Sequence, residues 1–98
     1  MIRDTGDRLE ICGAMTLAGA TALLAQGSAA LKPGAATTFF DLKAVETVDS
    51  SALAVIFGWQ RAAKQQGKQL TLLNVPQDLQ SLAALYGVSE LLPLDAPA

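Results

Sequence analysis

Apolar and polar residues alternate along Arg8-Leu9-Glu10-Ile11-Cys12, the spacing of a half-buried strand, and Gly13 breaks the run. Leu17, Leu24 and Leu31 recur seven apart with Leu23 beside the second, which predicts a helix over 17–31. Two internal glycines weaken that helix by propensity, and Lys32-Pro33-Gly34 reads as its stop and turn. The aromatic and β-branched run Thr37 to Leu42 predicts a central strand, and Val45 to Val48 continues toward a turn. Asp49, Ser50 and Ser51 are three capping residues in a row, with Asp49 and Ser51 the helix-cap candidates for a helix that runs to about Gln66. Gly67 supplies its stop.

A further strand follows at Gln69 to Asn74. Pro76 suits the first position of a helix whose Leu79, Leu82, Ala83 and Tyr86 share one face, with Gly87 at its end. Val88, Leu91 and Leu92 then read as a closing turn on the core. Strand and helix alternate three times, the signature of an α/β domain with a mainly parallel sheet. One domain over residues 1–98 is expected, without repeat or linker.

The middle helix carries the most information. At about 100° per residue, Ala52, Val55, Ile56, Trp59 and Ala63 form a core stripe. Ser50, Leu53, Ala54, Phe57, Gln60, Arg61 and Lys64 fall on the other side. Leu53 and Phe57 beside cations fit either the edge of a wide core or an apolar docking centre with a polar rim. Ser50 has two readings as well. A serine there can cap the helix, and a phosphate on it would be favoured by the helix dipole while adjacent Asp49 repelled it. Trp59 and Cys12 read as core, and Gly58 as a place for close backbone packing.

Composition narrows the function classes. A hydrophobic fraction of 51% fills a core, and nine acids against seven bases leave a formal charge of -2 with no basic block for nucleic acid. With no histidine and one cysteine, a Cys/His zinc site, an internal disulfide and a Ser-His-Asp device are excluded. No GxxxxGK run is present, so the chain is not expected to hydrolyse nucleotide on its own, and no carboxylate pair for acid–base work stands out; no catalytic residue, metal or cofactor is assigned from the sequence. The alanine-rich stretch 15–31 is too interrupted for a membrane span, and 1–8 is too charged for a signal peptide. A cytoplasmic protein without direct membrane insertion is the expectation.

Phe39-Phe40-Asp41-Leu42, then Val48-Asp49-Ser50-Ser51-Ala52-Leu53-Ala54-Val55, and Gly67 to Pro76 resemble the STAS domain, the anti-sigma-factor-antagonist fold. The likeness spans roughly Leu9 to Leu94 and implies a mixed, mainly parallel sheet with helices. Within the family, Trp59-Gln60-Arg61-Ala62 and Ser81 to Val88 look most like the MlaB-type subunit of the maintenance-of-lipid-asymmetry ABC transporter. That resemblance implies a non-catalytic subunit, peripheral to the inner membrane, bound to the cytoplasmic ATPase of a phospholipid-transporting complex with a membrane permease. The partner-binding residues would be Ser50, Leu53, Ala54, Phe57 and Arg61. The alternative branch, the anti-sigma factor antagonists, implies phosphorylation of Ser50 by a partner kinase. Those proteins usually carry glycine where this chain has Ala52.

Overall fold

The computed structural model describes residues 2–31 and 37–94. The Lys32-Pro33-Gly34 turn expected from sequence lies outside the described residues. Six strands are present: β1 (Ile2–Asp4), β2 (Leu9–Ile11), β3 (Gly13–Met15), β4 (Thr37–Asp41), β5 (Val45–Val48) and β6 (Gln69–Leu73). Three α-helices join them: α1 (Ala20–Ala29), α2 (Ser51–Gln65) and α3 (Gln77–Leu85). Short 3-10 turns cover Leu17–Gly19 and Ser89–Leu91.

The sheet is mixed, with order β1-β2-β4-β6. β1 is antiparallel to β2, and β2/β4 and β4/β6 are parallel. β3 and β5 form a second, parallel ladder beyond a bulge at Gly13. Gly13 adopts φ +86°, a left-handed conformation that suits glycine, and its N–H donates to the Ala44 carbonyl. The break expected at Gly13 is thus a step from one ladder onto another.

Leu9, Ile11, Phe40, Leu70 and Leu72 point to one side of the sheet and are buried with Val55, Ile56, Trp59 and Ala63 of α2. Trp59 anchors this core. Its ring lies 4.6 Å from that of Phe40, and its Nε1–H donates to the Leu23 and Leu24 carbonyls of α1, each at 3.2 Å. Two glycines stand at the α1/α2 contact, and the one at position 27 is required. A Cβ on Gly27 would lie 2.1 Å from Trp59 Nε1, and one on Gly58 would lie 2.5 Å from Leu24 Cδ1. The residue that weakens α1 as a helix is what lets the indole reach its backbone.

Several expectations are corrected. Leu17 is 76% exposed because the chain enters α1 through a 3-10 turn that ends before the helical face begins. Tyr86 is exposed rather than aligned with buried Leu79 and Ala83, because α3 stops at Leu85. Cys12 is half-buried, since it sits at the bulge between β2 and β3 rather than inside a strand. Ile2–Asp4, read only as a charged beginning, is a strand held at the sheet edge, where Arg3 pairs with Glu10 across the ladder.

Two buried polar groups stand in β4. Asp41 accepts hydrogen bonds from Arg8 Nη1 at 3.1 Å, Asn74 Nδ2 at 3.0 Å and the Lys43 N–H at 2.9 Å. Burial opposes its charge, yet these three donors outweigh that effect and hold the carboxyl below its ordinary range. Thr38 Oγ1 is buried without a hydrogen-bond partner among the described residues.

Candidate functional site

The start of α2 is built around Asp49. β5 delivers it beside β3, where Met15 pairs with Val48 and the Asp49 N–H donates to the Met15 carbonyl at 3.3 Å. Its carboxylate then accepts two backbone donors: Leu17 N–H at 3.0 Å on Oδ2 and Ser51 N–H at 2.8 Å on Oδ1. Its carbonyl accepts the Ala52 N–H at 3.0 Å. The Leu17 bond is the largest influence lowering the Asp49 pKa; partial burial works against it, and bonds from Ser51 add to it. Asp49 is therefore an ionised tie between the first helix segment, β5 and α2.

Ser50 comes out differently from a simple cap. Its backbone is already helical (φ −62°, ψ −20°), its side chain makes no capping bond, and it is exposed. Asp49 does the capping, and Ser51 begins the helix as the donor in that bond. Ser50 thus has a free hydroxyl at a helix N-terminus, beside a fixed negative charge.

Along the outward face of α2, Ser50, Ala54, Arg61 and Lys64 are exposed and Phe57 is half-buried against the core. Leu53 departs from the expected docking face: it is 5% exposed and belongs to the core. On the wheel Leu53 lies about 60° from the Ser50 direction, on the side where Gln60 borders β6. On that flank α2 meets β6 and α3, so a residue there is covered even though it lies about 120° round the helix from Trp59. The exposed stripe is narrower than the sequence implied.

Apolar surface around the stripe comes from residues that sequence reasoning did not assign to it. Leu17, held beside Asp49 by its own N–H, is 76% exposed. Leu85, 77% exposed, borders a shallow cleft with Val48, Leu82, Ser81 and Asp78. Leu85 had a usable signal: it is an apolar residue on the face of α3 opposite Leu79 and Ala83. Leu17 had none, because its heptad spacing imitates a core position. The arrangement offers exposed apolar residues, a free hydroxyl and, three turns along α2, the Arg61 cation, a surface suited to docking a protein. Among the described residues no acidic or cysteine cluster could hold a metal ion, and no helix is long and apolar enough to cross a membrane.

No curated protein matches the sequence. Solved structures share its fold. The unphosphorylated anti-sigma factor antagonist SpoIIAA superposes with a TM-score of 0.64 at 14% identity, covering 100% of this chain and 88% of that one. An anti-sigma factor antagonist from Mycobacterium paratuberculosis gives 0.71 at 17% identity, covering 99% and 84%. A sulfate transporter family protein from Wolinella succinogenes gives 0.68 at 18% identity, covering 87% and 71%. These likenesses establish the fold. A family model described as the Mlab STAS domain matches residues 2–93, nearly the full length, and on that match the chain belongs to the STAS domain family, whose members generally bind and regulate rather than catalyse.

Proposed function

We propose that this chain is an MlaB-type subunit that docks, through the N-terminal end of α2, onto the cytoplasmic ATPase of a phospholipid-transporting ABC complex. The observation that carries the reading is Ser50: exposed, free of any capping role, and placed at the head of the Ala54–Phe57–Arg61 stripe. A residue that neither caps nor packs, next to the Asp49 that holds exposed Leu17, is available to a partner. The Mlab description of the family model and the buried alanine at position 52 favour this branch. In it the chain is peripheral to the inner membrane, associated with a permease only through the ATPase, and supports assembly or activity without cofactor.

The test is affinity capture of the full chain from its native membrane extract, followed by identification of what co-purifies. An ATPase and a permease are expected, and Phe57→Asp should abolish their recovery without unfolding the chain. Recovery of an anti-sigma kinase and no ATPase sinks the reading.

The same free hydroxyl supports a second reading, a phosphorylation switch of the anti-sigma-antagonist kind. A phosphate on Ser50 would meet the helix N-terminus favourably and the Asp49 carboxylate unfavourably, so modification would change partner affinity. Stoichiometric phosphate on Ser50 by intact mass, after incubation with an anti-sigma kinase and ATP, would favour it. An unmodified chain under those conditions would count against it.

A further inference from the structure

Helix α3 presents a second stripe, separate from its buried face, beside the Ser50 surface. Asp78, Ser81, Leu82 and Leu85 recur at i, i+3, i+4 and i+7, so they share one side of the helix over about 10 Å. Val48, the last residue of β5, completes with them an open cleft of about 340 Å³. One end of the cleft is apolar: Val48 and Leu82 are half-buried against the core, and Leu85 stands 77% exposed. The other end is polar, with Asp78 in the first turn of α3 and Ser81 one turn on, both exposed. The core accounts for Leu79 and Ala83, which are buried. It does not account for an apolar strip left open next to them, which another molecule would bury.

Charge selects the occupant. Residues 44–60 and 69–98 hold five acids, Glu46, Asp49, Asp78, Glu90 and Asp95, and no lysine or arginine. β5, the first turns of α2, β6 and α3 therefore carry no cation of their own. Glu46 lies two positions before Val48 on β5, shares its face and is exposed. Asp7, Glu10 and Asp41 each face an arginine, whereas Asp78 and Glu46 form no ion pair among the described residues. An apolar strip ending at such a carboxylate matches a partner face that is apolar at one end and basic at the other.

We propose that the cleft between α3 and the end of β5 takes an amphipathic helix of a partner protein, whose apolar side chain rests on Val48, Leu82 and Leu85 and whose arginine or lysine meets Asp78. The occupant is the partner already proposed for the Ser50 surface, and the site rests on that reading. A helix suits the cleft because the stripe is itself helical. Its apolar and acidic ends are seven residues apart, and an opposing helix sets a leucine and a cation at the same spacing on one face.

The probe is a blocked, alanine-rich peptide of about 16 residues, long enough for partial helix, with a leucine and an arginine seven apart. It is titrated into the full chain and followed by amide NMR. The amides of 78–85 and of Val48 should shift together. Affinity should fall several-fold in Leu85→Ser and in Asp78→Asn, both at exposed positions. Added salt should weaken binding to wild type more than to Asp78→Asn. Far-UV circular dichroism verifies that both variants are folded. No shift in 78–85 at millimolar peptide overturns the proposal. So does equal binding when glutamate replaces the peptide's arginine, or alanine its leucine. No ATPase is present in this assay, so its failure removes the cleft alone, whereas failure to capture an ATPase from membrane extract removes the reading beneath it. Concentration-dependent shifts of the same amides in the chain alone, with a dimer on sedimentation, would assign the cleft to a second copy instead. Shifts with phosphatidylcholine vesicles that exceed those with the peptide would assign it to a lipid surface.

Discussion

Adding one methyl group at Gly27 should destabilise the fold, although by helix propensity it should help. Alanine in place of a helix-interior glycine contributes about 1 kcal/mol of stability. At Gly27 the new Cβ would lie 2.1 Å from Trp59 Nε1 and 2.3 Å from Cε2, more than an ångström inside normal contact. The indole cannot retreat: Trp59 is 0% exposed and rests against Phe40 with ring centres 4.6 Å apart. Overpacking of this kind costs about 1–3 kcal/mol. Pushing α1 away also removes the Leu23 and Leu24 carbonyls from the indole N–H, and an unmet buried donor costs about 1–3 kcal/mol more. The net for Gly27→Ala is a loss of about 3 kcal/mol.

For a domain of this size that loss corresponds to a fall in Tm of roughly 10–25 °C. Gly58→Ala is the internal control. It carries the same propensity gain, and its Cβ meets the end of the Leu24 side chain, a half-buried group that can rotate aside. It should stay within about 1 kcal/mol of wild type. Urea unfolding followed by fluorescence of the single tryptophan reports both variants at the contact concerned. Gly27→Ala as stable as wild type, or Gly58→Ala the more damaged of the two, would refute the reasoning.

Three further outcomes follow from the same structure. Leu53→Asp should unfold the chain, since burying a carboxylate costs several kcal/mol, while Phe57→Asp, at a half-buried position, should lower the Tm yet still fold cooperatively and lose partner capture; circular dichroism and a pull-down on both variants separate the two. Thr38→Val should stabilise by about 1 kcal/mol, because it keeps the shape and β preference and removes an unmet hydroxyl; a lower Tm would mean that the hydroxyl is bonded after all. Asp41 and Asp49 have native pKa values held below normal, so their stabilisation is complete above the ordinary carboxylate value near about 4 and is lost as pH falls through the lowered values. Urea midpoints measured from neutral pH downward should therefore stay level and then drop, and Asp41→Asn should make that acid drop shallower.

The parts of the fold that were legible in the sequence are those with a local chemical cause. Helix α2 was expected to open at Asp49-Ser50-Ser51 and close before Gly67, and it runs Ser51–Gln65 because an acidic cap and a glycine act on their immediate neighbours. Strands β2, β4 and β6 announced themselves through alternation or an apolar, aromatic and β-branched run, whereas β3 gave no such signal beyond the break at Gly13. Nor did β1, since a three-residue edge strand with two exposed positions has no apolar rhythm and exists through pairing with β2. Leu53 failed for a related reason. A wheel gives the angle of a side chain, but how far the sheet and α3 wrap around a helix is a property of the assembled layers. Asp49, one of the two cap candidates, does cap the helix, whereas Ser51 only donates to it; the second tie, from the Leu17 N–H 32 positions away in the chain, had no local signal.

That distant bond bears on how Ser50 can be used. A kinase that required this segment in an extended conformation would have to break the Asp49 bonds to Leu17 and Ser51 and unwind the first turn of α2. Ala52, fully buried, resists this doubly: its methyl leaves the core, and alanine favours the helix by about 1 kcal/mol over glycine, the residue usual at this place in the antagonist branch. A docking partner needs no such opening. It meets Ser50, Ala54, Phe57 and Arg61 in the helical geometry they already hold, so the rigidity that hinders a phosphorylation switch lowers the entropic cost of a standing interface.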